Sequence, residues 1–317
     1  MIYTTEFRAM GCQIFAALEY PSGRAERLLA RLPEWFETWE AALSRFRPES
    51  ELSRLNRSPG APVRVSETLW HVFQAACQAE GRSQGLVTPT VLDALVAAGY
   101  RQSFNQLEAD QPASQAGWYL PASMRTIRSD ARDRTICLPP GVHLDFGGVA
   151  KGWAAHQVMK RLQVYGPALV NAGGDIAISS LLPQGEPWLV EIEDPHQPGG
   201  NLGIMGLGRC GVATSGTDYR RWKQGGTWQH HIIDPRSGQP SQSNVLSATV
   251  VGLNALEAEM AAKVALILGS QEGMDWLDGQ PALSGMLVTL DGLVHYSRQF
   301  EGFLARQAAG ILIGVNA

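Results

Sequence analysis

Cysteine is scarce in this chain and scattered. Cys12, Cys77, Cys137 and Cys210 account for all of it in 317 residues, with no CxxC pair. That pattern excludes a zinc ribbon and offers no disulfide framework, so the thiols read as reduced and mostly buried. A basic surplus is missing too: the net charge of −4 argues against a nucleic-acid binder, which carries a cationic footprint. Long apolar runs are absent. "AAKVALILG" and "AAGILIGVNA" fall well short of the roughly 20 residues that cross a bilayer, and membrane insertion is not expected. The opening "MIYTTEFRAMGCQIFAALEY" has no basic stretch leading into an apolar one. It is not a secretory signal, which makes a cytoplasmic location the expectation. Repeats and low-complexity tracts are also lacking. What remains is an ordinary globular composition, 44% hydrophobic and 18% charged, in a chain long enough for a substantial core.

Periodicity sketches a mixed architecture. The first twenty residues alternate like a strand. Ala25 to Arg45 has helical spacing interrupted by Pro33. Ser50 caps a short helix, and Ser66 opens a longer one that ends at Gly81. "GLVTPTVLDALVAAGY" reads as a loop entering another short helix. Residues 102–131, rich in Gln, Ala, Ser and Asp, read as a variable connection with one strand at most. Arg134 to Leu138 and Val142 to Phe146 look like strands around the turn "PPG". A helix follows from about Ala150 to Val164, then strands in "PALVNAGGDIAIS" and "PWLVEIEDP", several short strands after Gly203, and a strong helix over Ala255 to Leu268. Strand runs mixed with segregated helices favour an α+β fold, mixed or antiparallel sheets with packed helices, over a doubly wound sheet.

Four clusters are candidates for chemistry. In "LDFGGVAKGWAAHQV", Asp145, Gly147, Gly148 and Lys151 stand where a helix starts. Unsatisfied N–H groups and the helix dipole suit an anion there, so the stretch reads as a phosphate site, although glycine turns also enter helices for packing alone. "VNAGGDIAI" brings a strand to Gly173, Gly174 and Asp175. It reads as a bulge or hairpin turn, and without a third glycine or a following helix it is no Rossmann site. In "VATSGTDYRRW" and "WQHHIIDPRSGQP", Thr214, Ser215 and Gly216 offer donors to a phosphate, and His231 is either structural or catalytic. His230, its neighbour, is expected to face the other way and matter little. In "ALEAEMAAKVALILG", Glu259 and Lys263 stand four apart on one helix face within apolar surroundings.

Taken in order, "FRAMGC", "LSRFRPESELSRLN", "LDFGGVAKGWAAH", "LVNAGGDI", "ATSGTDYRRW", "HHIIDPRSGQP" and "ALEAEMAAKVALILG" resemble the ApbE family of FAD:protein FMN transferases. The resemblance covers about residues 5–305 and implies that 1–317 form a single FAD-binding unit of ApbE-like fold. Such enzymes split FAD at its pyrophosphate, attach FMN through a phosphoester to a threonine hydroxyl of an acceptor protein, and release AMP. Carried over by position, Met10 and Phe46 line the FAD pocket. Leu86, Val87 and Thr88 touch FAD through their loop, and Ile233 is a further binding residue. Asp145 holds FAD by hydrogen bonds, and Lys151 neutralises phosphate charge. His231 helps deprotonate the incoming hydroxyl, and the Gly148 carbonyl faces a metal.

The departures bear on that metal. Where the family has an aspartate and, four residues later, a threonine as magnesium ligands, this chain has Glu259 and Lys263. Glutamate can bind magnesium through oxygen, whereas a charged lysine has donors and no lone pair. Either the Lys263 ammonium takes the metal's place, held by Glu259, or it swings to solvent and the metal stays on Glu259 and backbone carbonyls. Phe46 stands where tyrosine is common, and His156 where many relatives have aspartate. Two other functions remain open at this stage: a protein that holds FAD without transferring it, and a FAD pyrophosphatase. No copy of the family's acceptor motif occurs in the chain, so self-modification is not suggested.

Overall fold

The structure is a computed structural model that describes all residues except 22, 109, 113–116, 118, 306–311 and 314–317. Of the apolar run "AAGILIGVNA", only Leu312 and Ile313 lie within the described residues, in a short strand. Part of the 102–131 connection also lies outside them. Eight α-helices lie among the described residues: α1 (Arg24–Leu29), α2 (Leu32–Leu43), α3 (Glu51–Asn56), α4 (Glu67–Arg82), α5 (Leu92–Ala97), α6 (Ala150–Leu162), α7 (Ala255–Leu268) and α8 (Ser270–Asp278). The chain divides into two compact units, one of Met1–Phe36, Lys151–Asp218 and Ser243–Ala317, the other of Glu37–Ala150 and Tyr219–Gln242.

The first unit is built on an eight-stranded sheet of β1 (Ile2–Ala9), β2 (Cys12–Glu19), β3 (Ala168–Ala172), β4 (Asp175–Ile178), β5 (Cys210–Gly216), β6 (Val245–Gly252), β7 (Ser284–Thr289) and β8 (Val294–Tyr296). Their order in the sheet is their order in the chain, and every neighbouring pair is antiparallel. The single N-terminal strand expected from the alternation is two strands. Met10 and Gly11, with φ of 51° and 71°, make the two-residue turn whose twist matches a hairpin. Gly173 and Gly174, also at positive φ, turn β3 into β4. Helix α7 is apolar almost all round because it is buried almost all round: only its capping end and a few side chains escape the interior. It packs on β5 and β6, with the Asn254 side chain accepting the Glu257 N–H as its N-cap. Trp188, Phe300, Ile176, Leu169, Val212 and Met286 form the core of this unit.

The second unit holds α3, α4 and α5. A three-stranded sheet joins Val63–Arg64, Thr135–Cys137 and Arg128–Asp130, and another joins Thr227–His230, Arg221–Gln224 and Asp110–Gln111. Ser50 and Ser66 cap α3 and α4 as their positions suggest, each accepting a backbone N–H three residues on. Helix α4 runs through Gly81 to Arg82, and its chain reverses at Gly85, which has positive φ.

Several expectations need correction. The 102–131 connection contains two short strands, Asp110–Gln111 and Arg128–Asp130. Pro33 lies in the first turn of α2, where its missing N–H has no partner to lose, so the helical pattern breaks ahead of it. Residues Val142 to Phe146 are not a strand. Their backbone bonds go elsewhere: Leu144 pairs through both its N–H and carbonyl with the Asn56 side chain, and the Asp145 N–H donates to the Pro89 carbonyl. Helix α8 was not foreseen.

Candidate active site

In the first unit the start of α6, which the sequence suggests as a phosphate site, already faces an anion. The anion at this helix terminus belongs to the protein. The Gly152 N–H donates to Glu259 Oε2 at 3.1 Å, which places a buried carboxylate against the positive end of the dipole. The other oxygen of Glu259 meets Lys263 Nζ, also at 3.1 Å. Close by, Lys151 Nζ lies 2.5 Å from Asp175 Oδ2, and both members of that pair act electrostatically on Glu259. Burial, and then the like charge of Asp175, push the Glu259 carboxyl above its usual range, against the pull of Lys263 and Lys151. The side chains of Asp175 and Glu259 are 2% and 1% exposed, those of Lys151 and Lys263 15% and 14%. Glycine is needed at 152: a Cβ there would lie 2.6 Å from Glu259 Oε2. Met10 sits half-buried at the β1–β2 turn. Thr214, a candidate phosphate donor, instead shares a hydrogen bond with Thr249 across the sheet.

In the second unit Arg45 organises the surroundings of Asp145. Its Nε lies 2.5 Å from Asp145 Oδ2, an Nη donates to the Tyr100 carbonyl at 2.8 Å, and its guanidinium lies over the rings of Phe46 and Tyr100 at 4.1 and 4.7 Å. Tyr100 in turn stacks on Trp222 with ring centroids 5.2 Å apart, and the Trp222 N–H donates to the Ala98 carbonyl. Ile233 is packed in the apolar cluster beneath, with Leu95, Tyr100 and Trp222. Asp145 Oδ1 accepts the Gly147 N–H at 2.7 Å, so this carboxylate has two partners within the protein. Gly148 follows in the turn before α6. Phe46 keeps 38% of its surface exposed and so presents an aromatic face beside a fixed cation.

The loop containing Leu86, Val87 and Thr88 is anchored by Glu80 of α4, a buried carboxylate. It accepts from the Thr88 hydroxyl at 2.5 Å, the Ser123 hydroxyl at 2.8 Å and the Met124 N–H at 2.9 Å. Val87 donates its N–H to the Ser83 hydroxyl. Val87 and Thr88 are buried and Leu86 is half-buried. His231 is half-buried in the bend that leaves strand Thr227–His230. His230 is a clamp rather than a bystander. Its Nδ1 accepts the Ile232 N–H and its Nε2 lies 3.0 Å from the Ser241 carbonyl, which fixes the neutral tautomer with the proton on Nε2. Burial lowers its pKa, with the Ser241 carbonyl opposing. Sequence reading missed Arg45, Glu80, Tyr100, Trp222 and the clamping role of His230. Arg45, Tyr100 and Trp222 act through partners distant in the chain, and the bonds of Glu80 and His230 to nearer residues follow no motif that spacing reveals.

The comparisons with known proteins place these features in a family. The model of the ApbE family matches residues 10–287. The chain belongs to the ApbE family. A curated relative, the FAD:protein FMN transferase of Vibrio cholerae, is 30% identical over 273 residues, covering 83% of this chain and 80% of its own. The FAD:protein FMN transferase of Treponema pallidum is 26% identical over 304 residues, covering 90% and 83%. Among solved structures, the ApbE protein of Thermotoga maritima superposes with a TM-score of 0.86 at 21% identity, over 96% of this chain and 100% of its own. At such identity this likeness establishes the α+β ApbE fold.

Magnesium, which the resemblance implies, does not fit the residues at its expected position. Both oxygens of Glu259 are engaged, by Lys263 and by the Gly152 N–H, and a lysine ammonium has no lone pair to give. Among the described residues no group of three or more His, Cys, Asp or Glu side chains is arranged to hold a metal ion. Nor is any described helix long and apolar enough to cross a membrane.

Proposed function

We propose that the chain is an FAD:protein FMN transferase working as one functional unit, and that it modifies a threonine hydroxyl of an acceptor protein. The observation that carries this reading is the family match over residues 10–287, which spans the Asp145 to Lys151 stretch and the His231 segment. In the proposed reaction the acceptor oxygen forms a bond to the FMN phosphorus. The pyrophosphate bond on the adenylate side of that phosphorus breaks, and AMP leaves with the electron pair. His231 takes the hydroxyl proton. Met10, Phe46, Leu86, Val87, Thr88 and Ile233 bind FAD, Asp145 orients it, and Lys151 balances phosphate charge. Phe46 beside Arg45 supplies an aromatic and cationic face of the kind a flavin uses. Arg45 and the Gly147 N–H hold Asp145 in place. A cytoplasmic location belongs to the same proposal and is checked by cell fractionation.

Mass spectrometry after incubation with FAD and a threonine-containing acceptor domain tests this reading. The expected result is an acceptor heavier by one FMN phosphoester, with one AMP released per modification. AMP and free FMN without a modified acceptor would mark a pyrophosphatase instead. Bound, intact FAD with neither product would mark a carrier.

A further inference from the structure

We infer that the ammonium ends of the Lys151–Asp175 and Lys263–Glu259 pairs form a built-in clamp for a diphosphate, and that this clamp replaces a divalent metal. The inference rests on the transferase reading in naming FAD as the diphosphate's source and in the role of Lys263 as the pyrophosphate bond breaks.

The arrangement argues for it. Two carboxylates are sealed in the interior, while the surface that the four side chains retain belongs mainly to the lysines. A buried carboxylate holds each ammonium in place, so neither must be ordered when an anion arrives. The β3–β4 turn places Gly173 beside Lys151, a position where any Cβ would crowd the Cys12 side chain. Two point charges, each held by a carboxylate partner, suit a diphosphate, which spreads its charge over several oxygens. Donor chemistry argues against a metal: the second expected ligand position holds an ammonium with no lone pair. Magnesium requires about six oxygen ligands in near-octahedral array, and Glu259 has both oxygens committed to hydrogen donors. In the bond-breaking step the ammonium of Lys263 offsets the charge that grows on the adenylate oxygen as the pyrophosphate bond breaks. It forms no covalent bond and gives up no proton.

The test uses the full chain and has two arms. In the first, Mn²⁺ binding to the purified protein is followed by electron paramagnetic resonance. In the second, FAD and inorganic pyrophosphate affinities are measured by calorimetry in EDTA and in excess magnesium. We expect no stoichiometric Mn²⁺ site and equal FAD affinity in both buffers. In EDTA, Lys263→Met should weaken FAD and pyrophosphate binding by about tenfold or more, the worth of one charge-assisted hydrogen bond. Lys263→Thr should behave alike in EDTA and recover in magnesium. A stoichiometric Mn²⁺ site in the unmodified protein, or FAD affinity that rises steeply with magnesium, would overturn the clamp. Both readouts on the unmodified protein stand even if a variant fails to fold. The transferase reading fails separately: metal-independent FAD binding with no FMN on any acceptor leaves the clamp intact and removes the transfer.

Discussion

Asp145 and Arg45 neutralise each other at 2.5 Å with only 12% and 7% of their side chains exposed, and that fixes what a mutation at either position does. Removing one partner leaves a buried charge uncompensated, so Asp145→Ala should destabilise the fold by about 3–5 kcal/mol, read by urea denaturation. An unchanged midpoint would assign Asp145 wholly to ligand binding. The two adjacent histidines separate in a different way. His231→Ala should lower transfer by roughly 10²–10⁴ if it is the general base, with FAD affinity preserved; lost FAD affinity would make it a pocket wall. His230→Phe should lower stability, because it removes the acceptor for Ile232 N–H and the donor to Ser241. Its pH signature follows from the direction of its shift. His230 and His156 are both held below the usual histidine value, chiefly by burial. Between the folded and unfolded values the unfolded chain binds more protons. Stability therefore rises with pH through that window, is fully present above about pH 6.5, and declines on acidification below it. Denaturation midpoints across this range in a His156→Phe, His230→Phe variant should show a flatter slope; an unchanged slope would assign it to other groups. Two of the thiols are kept protonated for a related reason: burial raises Cys77 to about 11 and Cys210 to about 12.

At the scale of elements, the joint between α6 and α7 is the tightest part of the candidate site. Gly152 lets the first turn of α6 approach Glu259, and Gly152→Ala should push the carboxylate off its N–H donor. We expect a loss of about 1–3 kcal/mol from overpacking, read by thermal melting, together with weaker FAD binding. A fully stable variant would mean that the helices can slide apart. The anchor of the 83–90 loop tests similarly: Glu80→Gln cannot accept from Thr88, Ser123 and Met124 at once, and should raise KM for FAD more than it lowers kcat. These joints also explain what the sequence made legible. Helices with local signals, a capping serine at 50 or 66 or an apolar stripe over 255–268, could be placed from the chain alone. The 142–146 segment could not, since its bonding partners are Asn56 and Pro89, and alternation alone does not distinguish a strand from a segment tied to side chains. The β1–β2 turn was missed because it places Met10, not a second glycine, at positive φ. The stretches around Asp145, Lys151 and His231 could be singled out because their glycine, acidic and basic residues lie close together in the sequence. Arg45, Tyr100 and Trp222 were not, since the stack they form joins three segments that lie far apart in the chain.

For the whole molecule the consequence is a distinctive ligand response. A protein that binds its ligand only when folded is stabilised by mass action, by about 2.7 kcal/mol when ligand is a hundredfold above Kd. In the proposed clamp the two lysines with buried carboxylate partners meet the diphosphate and have nothing to offer an isoalloxazine ring alone. FAD should therefore raise the melting temperature well above the shift given by riboflavin at equal concentration, with FMN between them. The spread should be the same in EDTA and magnesium, because the charges of the proposed clamp are side chains of α6 and α7. It should shrink only modestly as salt is added, since lysines that are 15% and 14% exposed are screened much less than surface charges. Lys263→Met should bring the FAD shift down toward the riboflavin shift without altering the latter. If riboflavin stabilises the unmodified protein as strongly as FAD does, the aromatic face near Phe46 carries the affinity and the charge cluster serves the fold alone.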